Sequence, residues 1–353
     1  MTTFFRRMAV VFLFISLLTL CCSCQTTPSS EVPTTDTPTT EVLVPNAASD
    51  FDYDTFEKDG ERVIRLIRYK GERTDVVIPD TIDGLPVRIL LGVTAQNDKG
   101  YTGVVQGVFE DTSIESVYIP SSVSSLGLAT FAHCTKLEQV EFAKGCGITL
   151  LDTSAFESCT ALTRVDLSPL TKLKGSYYSF RDCTSLKEVI FPEGITRIGE
   201  SSFLNCSALQ SLYLPDSLER IEKNAFEGCT SIEFISIGKN LRLADPNFST
   251  VIFNSPSLKH ITFREGRESL DGYALIAITS PVSVEVPASV NVVSGNTFFN
   301  YNTMTITFAG DCPKMESEKW YGNVIVRYNP DMVGWDNCDW SAEKGTLTLE
   351  PIQ

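Results

Sequence analysis

Histidine is scarce in this chain of 353 residues, which contains only His133 and His260. Imidazole is the side chain whose charge changes near neutral pH and a frequent metal ligand, so two copies leave little for acid–base or metal chemistry. The sequence also lacks a Gly-x-Ser-x-Gly, His-Glu-x-x-His, P-loop or dinucleotide-binding motif. We therefore expect no enzymatic activity, no cofactor and no metal site.

Long hydrophobic runs are absent after the N-terminus. The N-terminus itself has two basic residues, Arg6 and Arg7, followed by a mostly apolar run from Met8 to Leu20. This run is too short for a comfortable membrane span and is typical of a secretory signal. We therefore predict that residues 1–23 are a signal peptide.

Basic residues are outnumbered by acidic ones in this chain. The chain has 29 Lys and Arg against 44 Asp and Glu, which gives a formal net charge of −15. An acidic surface argues against nucleic acid binding and against electrostatic docking on anionic lipid.

Residues 24–50 contain no aromatic or basic residue and are rich in Thr, Ser and Pro. Such a composition cannot bury a core, so we predict a disordered tether there.

A sequence motif of 22 to 25 residues is repeated along the body of the chain. A typical copy has Phe-x-x-Cys, then Leu, then alternating apolar residues, then Pro. The anchoring residues are Phe109, Phe131, Phe156, Phe180, Phe203 and Phe226, and less regularly Ile252 or Phe253, Leu275 and Phe298. A period of about 20–29 residues with Leu-x-x-Leu-x-Leu spacing is the signature of leucine-rich repeats.

The period dictates how such a chain must fold. One short strand per repeat cannot bury its own apolar side, so neighbouring repeats must stack into a solenoid. In the copy SLKEVIFP, the period-2 alternation directs Leu186, Val189 and Phe191 inward. It directs Glu188 and Ile190 outward. We therefore predict a parallel sheet with one strand from each repeat.

The pattern Phe-x-x-Cys-x-x-Leu-x-x-Ile-x-Ile-Pro resembles the BspA-like class of leucine-rich repeats, which is found on bacterial surfaces. The resemblance covers residues 51–353. It implies a leucine-rich-repeat solenoid of the α/β repeat class, with mostly short parallel β-strands, turns and short helical segments. About nine repeats would occupy residues 79–309, between an N-terminal β cap at 51–78 and a C-terminal β cap at 310–353.

Two segments depart from the repeat pattern. Residues 93–107 are predicted to insert a loop into the first repeat. Residues 168–179 read SPLTKLKGSYYS where Pro and Ile-Gly are expected, so we expect that turn to bulge.

The stretch LTLCCSCQ resembles a bacterial lipoprotein signal. The resemblance implies that Cys24 is lipidated, because Ser23 supplies the small residue before it. Cys21 stands where that family prefers Leu, so Cys22 is the alternative lipidation site and a plain cleaved signal peptide is a further alternative. The expected location is extracytoplasmic, with the protein anchored by lipid to the bacterial cell surface.

Five cysteines each lie three residues after an anchoring phenylalanine, namely Cys134, Cys159, Cys183, Cys206 and Cys229. We predict that they form a buried ladder of free thiols that act as small apolar side chains. Disulfides or a metal site are the alternative, but the cysteines occur once per repeat without a Cys-x-x-Cys pair. Cys146 has no assigned role. Cys312 and Cys338 both lie in the C-terminal cap, where a disulfide between them is an open alternative.

The outward strand positions form two rows across the repeats. The first row is Tyr118, Glu141, Asp166, Ile190, Tyr213, Ser236, Thr262, Glu285 and Thr307. The second is Ser116, Gln139, Arg164, Glu188, Ser211, Phe234, His260, Ser283 and Thr305. Ile190, Tyr213 and Phe234 therefore cluster mid-solenoid with His260 at the edge. Such a cluster is the expected anchor of an interface, although strand propensity favours the same residue types.

Glu141 and Asp166 are the best candidates for chemistry, because paired carboxylates near Arg164 could serve a glycosidase. A solvated acidic rung is the favoured interpretation, since an open sheet offers no pocket that excludes water. The resemblance instead implies an adhesion or protein-binding module whose partner is an extracellular protein. Glycan binding and a structural envelope role without a ligand are the alternatives. The only membrane contact expected is through the N-terminal lipid.

Overall fold

The computed structural model describes residues 43–96, 102–242, 255–270, 278, 281–294, 303–315, 320–338, 340 and 342–352. The folded unit begins at Leu43. It is a β-solenoid of about ten turns. No helix in the described ranges is long and apolar enough to cross a membrane.

The strands of the first half are short apart from those of the N-terminal hairpin. In chain order they are β1 (Phe51–Lys58), β2 (Glu61–Tyr69), β3 (Asp75–Val77), β4 (Thr81–Ile82), β5 (Leu85–Leu90), β6 (Val93–Gln96), β7 (Thr102–Gln106), β8 (Ser116–Ile119), β9 (Ser125–Leu126), β10 (Gln139–Phe142), β11 (Leu150–Leu151), β12 (Arg164–Asp166) and β13 (Gly175–Ser176).

The strands of the second half lengthen toward the C-terminus. They are β14 (Glu188–Ile190), β15 (Arg197–Ile198), β16 (Ser211–Tyr213), β17 (Arg220–Ile221), β18 (Phe234–Ile237), β19 (His260–Phe263), β20 (Ser269–Leu270), β21 (Val282–Val286), β22 (Val292–Val293), β23 (Thr303–Phe308), β24 (Lys314–Met315), β25 (Trp320–Tyr328) and β26 (Ala342–Pro351).

A typical turn in the described part of the chain contributes one strand to each of two faces. The first face carries twelve strands in three parallel ladders: β3, β8 and β10; β12 and β14; and β16, β18, β19, β21, β23, β25 and β26. The second face carries two-residue strands such as β15 and β17, which also pair in parallel. A return segment containing Phe-x-x-Cys then closes the turn.

The core is filled by side chains that repeat from turn to turn. On the first face Leu186 and Val189 are buried, as the alternation predicts. On the return side the rings of Phe109, Phe131, Phe156, Phe180, Phe203 and Phe226 form a continuous stack, the phenylalanine ladder. Adjacent ring centroids are 4.9 to 5.2 Å apart and their planes lie within 12° of parallel. This spacing matches the rise between stacked strands, so one ring per repeat fills the interior.

The prediction of an α/β repeat with short helical segments is wrong. The described residues contain no α-helix and only two 3-10 helices, Ala48–Asp50 and Trp335–Asn337. The physical reason lies in the return segments, where the residues two before and two after the phenylalanine have positive φ. These pairs are Ala129 and His133, Ser154 and Ser158, Tyr178 and Asp182, Ser201 and Asn205, and Asn224 and Gly228. Left-handed residues at this spacing stop a right-handed helix from forming.

The N-terminal end is closed by the antiparallel hairpin of β1 and β2. Strand β2 pairs in parallel with β5, so the hairpin starts the sheet of the second face. The folded unit begins eight residues before the predicted boundary at residue 51. Asn46 explains the difference, because it is buried, its Oδ1 accepts a hydrogen bond from the Val77 N–H at 2.9 Å, and its Nδ2 donates to Asp50.

The two predicted departures take different forms. The insertion at 93–107 is an antiparallel hairpin of β6 and β7 on either side of residues 97–101, which lie outside the described residues. The turn at 168–179 holds an extra tight turn in which the Leu170 N–H donates to the Leu167 carbonyl at 2.9 Å, before the usual turn that the Leu173 N–H closes on the Leu170 carbonyl. The following strand β13 still pairs in register with β11 and β15, because all three leucines are buried and anchor the enlarged turn.

The C-terminal end continues the sheet of the first face. Strand β25 pairs in parallel with β23, and β26 pairs in parallel with β25 along its whole length. Trp335 lies beneath these strands with its ring stacked on Tyr328 at 4.8 Å, and its Nε1–H donates to the Gly310 carbonyl at 3.0 Å. Phe308 and Trp340 pack against the same indole. An aromatic cluster therefore seals this end of the core.

Candidate binding face

The outward residues of the first face lie in the two predicted rows. Ser211, Phe234, His260 and Ser283 are successive partners across β16, β18, β19 and β21. The Gln210 N–H donates to the Lys187 carbonyl at 3.1 Å, which sets β16 beside β14 with Ile190 level with Tyr213. Strand pairing thus brings residues distant in sequence onto one surface.

A group of apolar and aromatic side chains occupies the middle of this face. We define the docking patch as Ile190, Tyr213, Phe234 and His260. Tyr213 is 59% exposed, and the other three members are half-buried. The ring centroids of Tyr213 and Phe234 are 5.3 Å apart, and those of Phe234 and His260 are 5.5 Å apart with planes 17° from parallel. The patch is therefore a contiguous row of rings on three adjacent strands.

His260 is held in place by its neighbours on β21. Its Nδ1 is 2.6 Å from the Ser283 hydroxyl, and its Nε2 is 3.5 Å from the Glu285 carboxylate. Two polar contacts and one stacked ring fix the imidazole plane. These contacts restrain the imidazole, and a side chain that is restrained before binding loses less entropy when a partner binds.

Of the two carboxylates that suggested chemistry, Glu141 is exposed and Asp166 is engaged with other groups. The Asp166 carboxylate accepts a hydrogen bond from the Ser168 N–H at 2.9 Å and pairs with Arg164 at 3.5 Å. Arg164 also donates to Glu188 at 2.8 Å. The described residues contain no group of three or more potential metal ligands. Arg164, Asp166 and Glu188 therefore form a solvated ion-pair network on an open sheet.

A polar cavity that the sequence reasoning missed lies on the second face, near the N-terminal hairpin. Its volume is about 320 Å³, and Lys58, Glu61, Arg88, Ser124 and Lys172 line it. Arg88 pairs with Glu61 at 3.2 Å, and the Lys58 ammonium donates to the Ser124 hydroxyl at 3.0 Å. In the sequence, only the hairpin turn KDGE at residues 58–61 pointed to this cavity. Its other walls come from segments far away in sequence, as at Ser124 and Lys172.

The five cysteines of the repeats lie inside the solenoid and carry free thiols. Each Sγ donates to the carbonyl of the anchoring phenylalanine one turn earlier, as from Cys183 to Phe156 at 3.1 Å. Burial raises the pKa of the Cys134 thiol to about 11 and that of Cys183 to about 12. Burial likewise raises the pKa of Cys159 and Cys206. These four thiols with raised pKa values stay protonated at neutral pH, and nucleophilic attack or metal binding would need the thiolate.

The remaining cysteines differ in their surroundings. Cys146 is buried, its Sγ donates to the Pro120 carbonyl at 3.2 Å, and burial raises its pKa to about 11. Cys312 and Cys338 are half-buried thiols at the C-terminal end of the structure. A disulfide between them stays a prediction. Cys24, Cys22 and the tether lie outside the described residues.

The fold and this face define a class of protein, a leucine-rich-repeat β-solenoid with an open strand face. The model of the BspA type leucine rich repeat region matches the chain in six copies, over residues 102–233, 169–275 and 205–325. These matches cover more than half of the chain, and the protein belongs to the BspA-type leucine-rich repeat family. No curated protein matches the sequence.

Solved structures of other repeat proteins are similar to this chain. The leucine rich repeat protein of T. pallidum is 20% identical, with 73% of this chain and 91% of that chain covered and a TM-score of 0.37. A leucine rich cell surface protein of Faecalibacterium prausnitzii is 16% identical, with 77% and 96% covered and a TM-score of 0.34. The pneumococcal vaccine antigen PcpA is 14% identical, with 81% and 87% covered and a TM-score of 0.42. The family assignment rests on the repeat match.

Proposed function

We propose that this chain is a lipid-anchored bacterial surface protein that binds an extracellular protein through the docking patch, and so acts as an adhesion module. One observation carries the binding role. Tyr213 is 59% exposed in the centre of a row of aromatic rings on the strand face. Grouped exposed aromatics beside an aliphatic residue are typical of the anchors of protein interfaces.

Two features support the surface location. The chain belongs to the BspA-type repeat family. Its N-terminus carries the predicted signal peptide with Cys24 as the lipidation site. Secretion followed by lipidation would place the repeats outside the membrane with the tether between them and the lipid.

The ring geometry favours a protein over a glycan as the partner. A sugar ring stacks on an aromatic ring only where a ring face is free. Phe234 and His260 stand nearly parallel on adjacent strands, at 17° and 5.5 Å, so each shields a face of the other. Their exposed edges suit apolar side chains inserted from a partner protein better than sugar rings.

The test is a binding screen of the full-length protein against immobilised extracellular matrix proteins and a glycan array. A Tyr213→Ala/Phe234→Ala variant is run beside it. The matched control is Val105→Ala/Leu150→Ala, which removes two exposed apolar side chains, 62% and 39% exposed, away from the first face. We expect a protein hit that the first variant loses and the control keeps.

Other outcomes of the screen count against the proposal. A protein hit retained by the Tyr213→Ala/Phe234→Ala variant moves the site to the ends of the solenoid or to the β6–β7 hairpin. A glycan hit lost in that variant replaces the protein partner with a carbohydrate. No hit of either kind favours a structural envelope role.

The lipid anchor needs a separate measurement. Metabolic labelling with an alkyne-tagged fatty acid in a bacterial host should label the native chain, and Cys24→Ser should remove the label while Cys22→Ser keeps it. Loss of the label in Cys22→Ser alone moves the lipidation site. A native chain without label indicates a plain cleaved signal peptide.

A further inference from the structure

We infer that the protein partner is cationic: it presents an extended segment in which a Lys or Arg lies three to four residues from the apolar side chain that contacts the docking patch. The inference rests on the proposed docking function and specifies the chemistry of the partner. It is carried by the distribution of charge on the first face around the docking patch.

Acidic residues outnumber basic ones four to one at the outward positions on the N-terminal side of the docking patch. They are Asp75, Glu141, Asp166 and Glu188. Among the outward positions from β3 to β21, Arg164 is the single Lys or Arg. Glu285 adds a negative charge on the other side of the patch, 3.5 Å from His260. The patch is therefore flanked by acids on both sides.

The one arginine does not offset this charge. Arg164 lies between two carboxylates, 2.8 Å from Glu188 and 3.5 Å from Asp166, so the three groups together keep one negative charge. Glu141, on the next strand, is exposed and forms no ion pair within the described part of the chain. Lys187 lies at the rim before β14, where Glu138 occupies the equivalent rim position before β10. The side of the face next to the patch therefore remains negative.

The spacing of the strands sets the geometry of the partner. Adjacent strands lie about 4.8 Å apart, so Glu141 on β10 is about 10 to 14 Å from Ile190 and Tyr213. An extended segment that runs along the solenoid axis advances about 3.3 Å per residue. Three to four residues therefore separate a side chain on the patch from one above Glu141. A Lys or Arg above Glu141 lies within the Debye length of about 8 Å at physiological salt, so its attraction to the carboxylate is only partly screened.

The charge of the whole chain acts in the same direction. Its formal net charge is −15, so a basic segment is attracted before contact and an acidic one is repelled. An anionic lipid surface would be repelled as well. The acids thus complement a basic protein segment, while the rings supply the apolar anchor.

The test is selection of a random linear peptide library on the immobilised full-length protein at low salt. Peptides that also bind the Tyr213→Ala variant are removed by counter-selection, and Tyr213 is exposed enough that its truncation should leave the fold intact. Affinities of the selected peptides are then measured for the Glu141→Lys variant. The matched control is Glu227→Lys, an exposed glutamate in a return segment away from the first face.

We expect the selected peptides to combine an aromatic or aliphatic residue with Lys or Arg three to four positions away. Reversing the charge at Glu141 should weaken their binding at least about fourfold at low ionic strength, since even two unit charges as far as about 10 Å apart in water differ by that factor between attraction and repulsion. Glu227→Lys should change it by less than twofold, and added salt should abolish the difference.

The outcomes separate this inference from the docking proposal. Selected peptides that depend on Tyr213 but carry no excess of Lys and Arg, or that bind Glu141→Lys as well as the native protein, overturn the cationic partner and leave the docking patch in place. The absence of any peptide that depends on Tyr213 overturns both. Thermal midpoints of the three variants within about 2 °C of the native protein show that the fold is unchanged.

Discussion

The earlier and later turns of the solenoid differ in the length of their first-face strands. Through residues 116–229 the first-face strands have three or four residues, and the phenylalanine ladder fills the return side. Through residues 260–351 the first-face strands have four to ten residues, while the buried strand positions hold aliphatic side chains in both regions, as at Val189 and Val284. The described residues of the later turns therefore pair over longer stretches of backbone.

The pairing registers quantify the contrast. Strands β12 and β14 share three residue pairs, whereas β25 and β26 share nine. Long in-register ladders hold neighbouring turns together by many backbone hydrogen bonds. Short strands cannot, so the earlier turns add hydrogen bonds between return segments, as from the Phe180 N–H to the Ser202 carbonyl at 2.8 Å.

The docking patch lies where the turns with short first-face strands give way to the turns with longer ones. Tyr213, Phe234 and His260 stand on the first three strands of the seven-stranded sheet that runs from β16 to β26. Ile190 stands on the last short strand before it. A continuous sheet beneath the rings keeps their spacing fixed, which is what a preorganised interface requires.

Removal of one ring from the phenylalanine ladder should have the largest effect. Phe180 is fully buried between Phe156 and Phe203, with centroids 5.1 and 5.2 Å away. Phe180→Ala leaves a cavity and should lower the free energy of unfolding by about 3–5 kcal/mol. Urea unfolding monitored together with hydrogen exchange should show the loss in the earlier turns first, because each repeat contacts only its neighbours.

Phe180→Leu is the control for this variant, since it keeps most of the apolar contact and should recover most of the loss. A Phe180→Ala protein destabilised by less than about 1 kcal/mol would show that the neighbouring rings collapse into the cavity. The ladder would then contribute less than its geometry indicates.

Loss of one hydrogen bond at the C-terminal end should cost less. Trp335→Phe keeps an aromatic ring on Tyr328 but removes the Nε1–H that donates to the Gly310 carbonyl. The buried carbonyl then lacks this donor, and the free energy of unfolding should fall by about 1–3 kcal/mol. Intrinsic fluorescence during urea unfolding measures it, and Trp340→Phe is the control because Trp340 is only partly buried. An equal loss in both variants would contradict a specific role for the Trp335 hydrogen bond.

Alkaline pH should separate the two regions by their cysteines. Burial raises the pKa of Cys183 from an ordinary value near 9 to about 12, and raises that of Cys134 to about 11. Below pH 9 these thiols are protonated in both states. Between pH 9 and 11 the unfolded chain releases their protons while the folded chain retains them, so stability falls as pH rises.

The measurement is the unfolding midpoint of the earlier turns against pH. Cys183→Ala should flatten the fall, because it removes one of the thiols that ionise only on unfolding. Val189→Ala, a buried position of the same repeat without an ionisable group, is the control and should leave the slope unchanged. A pH profile that does not respond to Cys183→Ala would show that other groups govern the alkaline loss.

The smallest effect on stability is expected at the docking patch itself. Tyr213 is 59% exposed, so Tyr213→Ala should change the free energy of unfolding by no more than about 0.5 kcal/mol. Calorimetry checks this against Leu212→Ala on the same strand, which is fully buried and should cost about 2–5 kcal/mol. A large loss in Tyr213→Ala would mean that the exposed ring serves the fold, and would weaken its assignment to binding.

Much of this architecture could be predicted from spacing alone. The anchors at 22- to 25-residue intervals predict one turn each, and the period-2 alternation predicts which side of each strand is buried. Both follow from elementary geometry, because a strand alternates its side chains and a lone strand cannot bury them. The rows of outward residues followed from the same alignment.

The return segments and the ends were less predictable. Residues such as Tyr178 and Ser201 have no strong intrinsic preference for positive φ, and only the packing of the neighbouring phenylalanines places them there. The buried role of Asn46 also escaped prediction, because its partner Val77 is 31 residues away in a composition that otherwise reads as tether.

The sequence by itself determined the repeat, its period and the inward and outward assignment of its strand residues, since these depend on local spacing and apolar burial. Only the tertiary structure decided that the return segments are turns instead of helices and that Tyr213, Phe234 and His260 touch. It also decided that Arg164 is shared by two carboxylates. These properties depend on contacts between turns, and such contacts exist only once one repeat is stacked on the next.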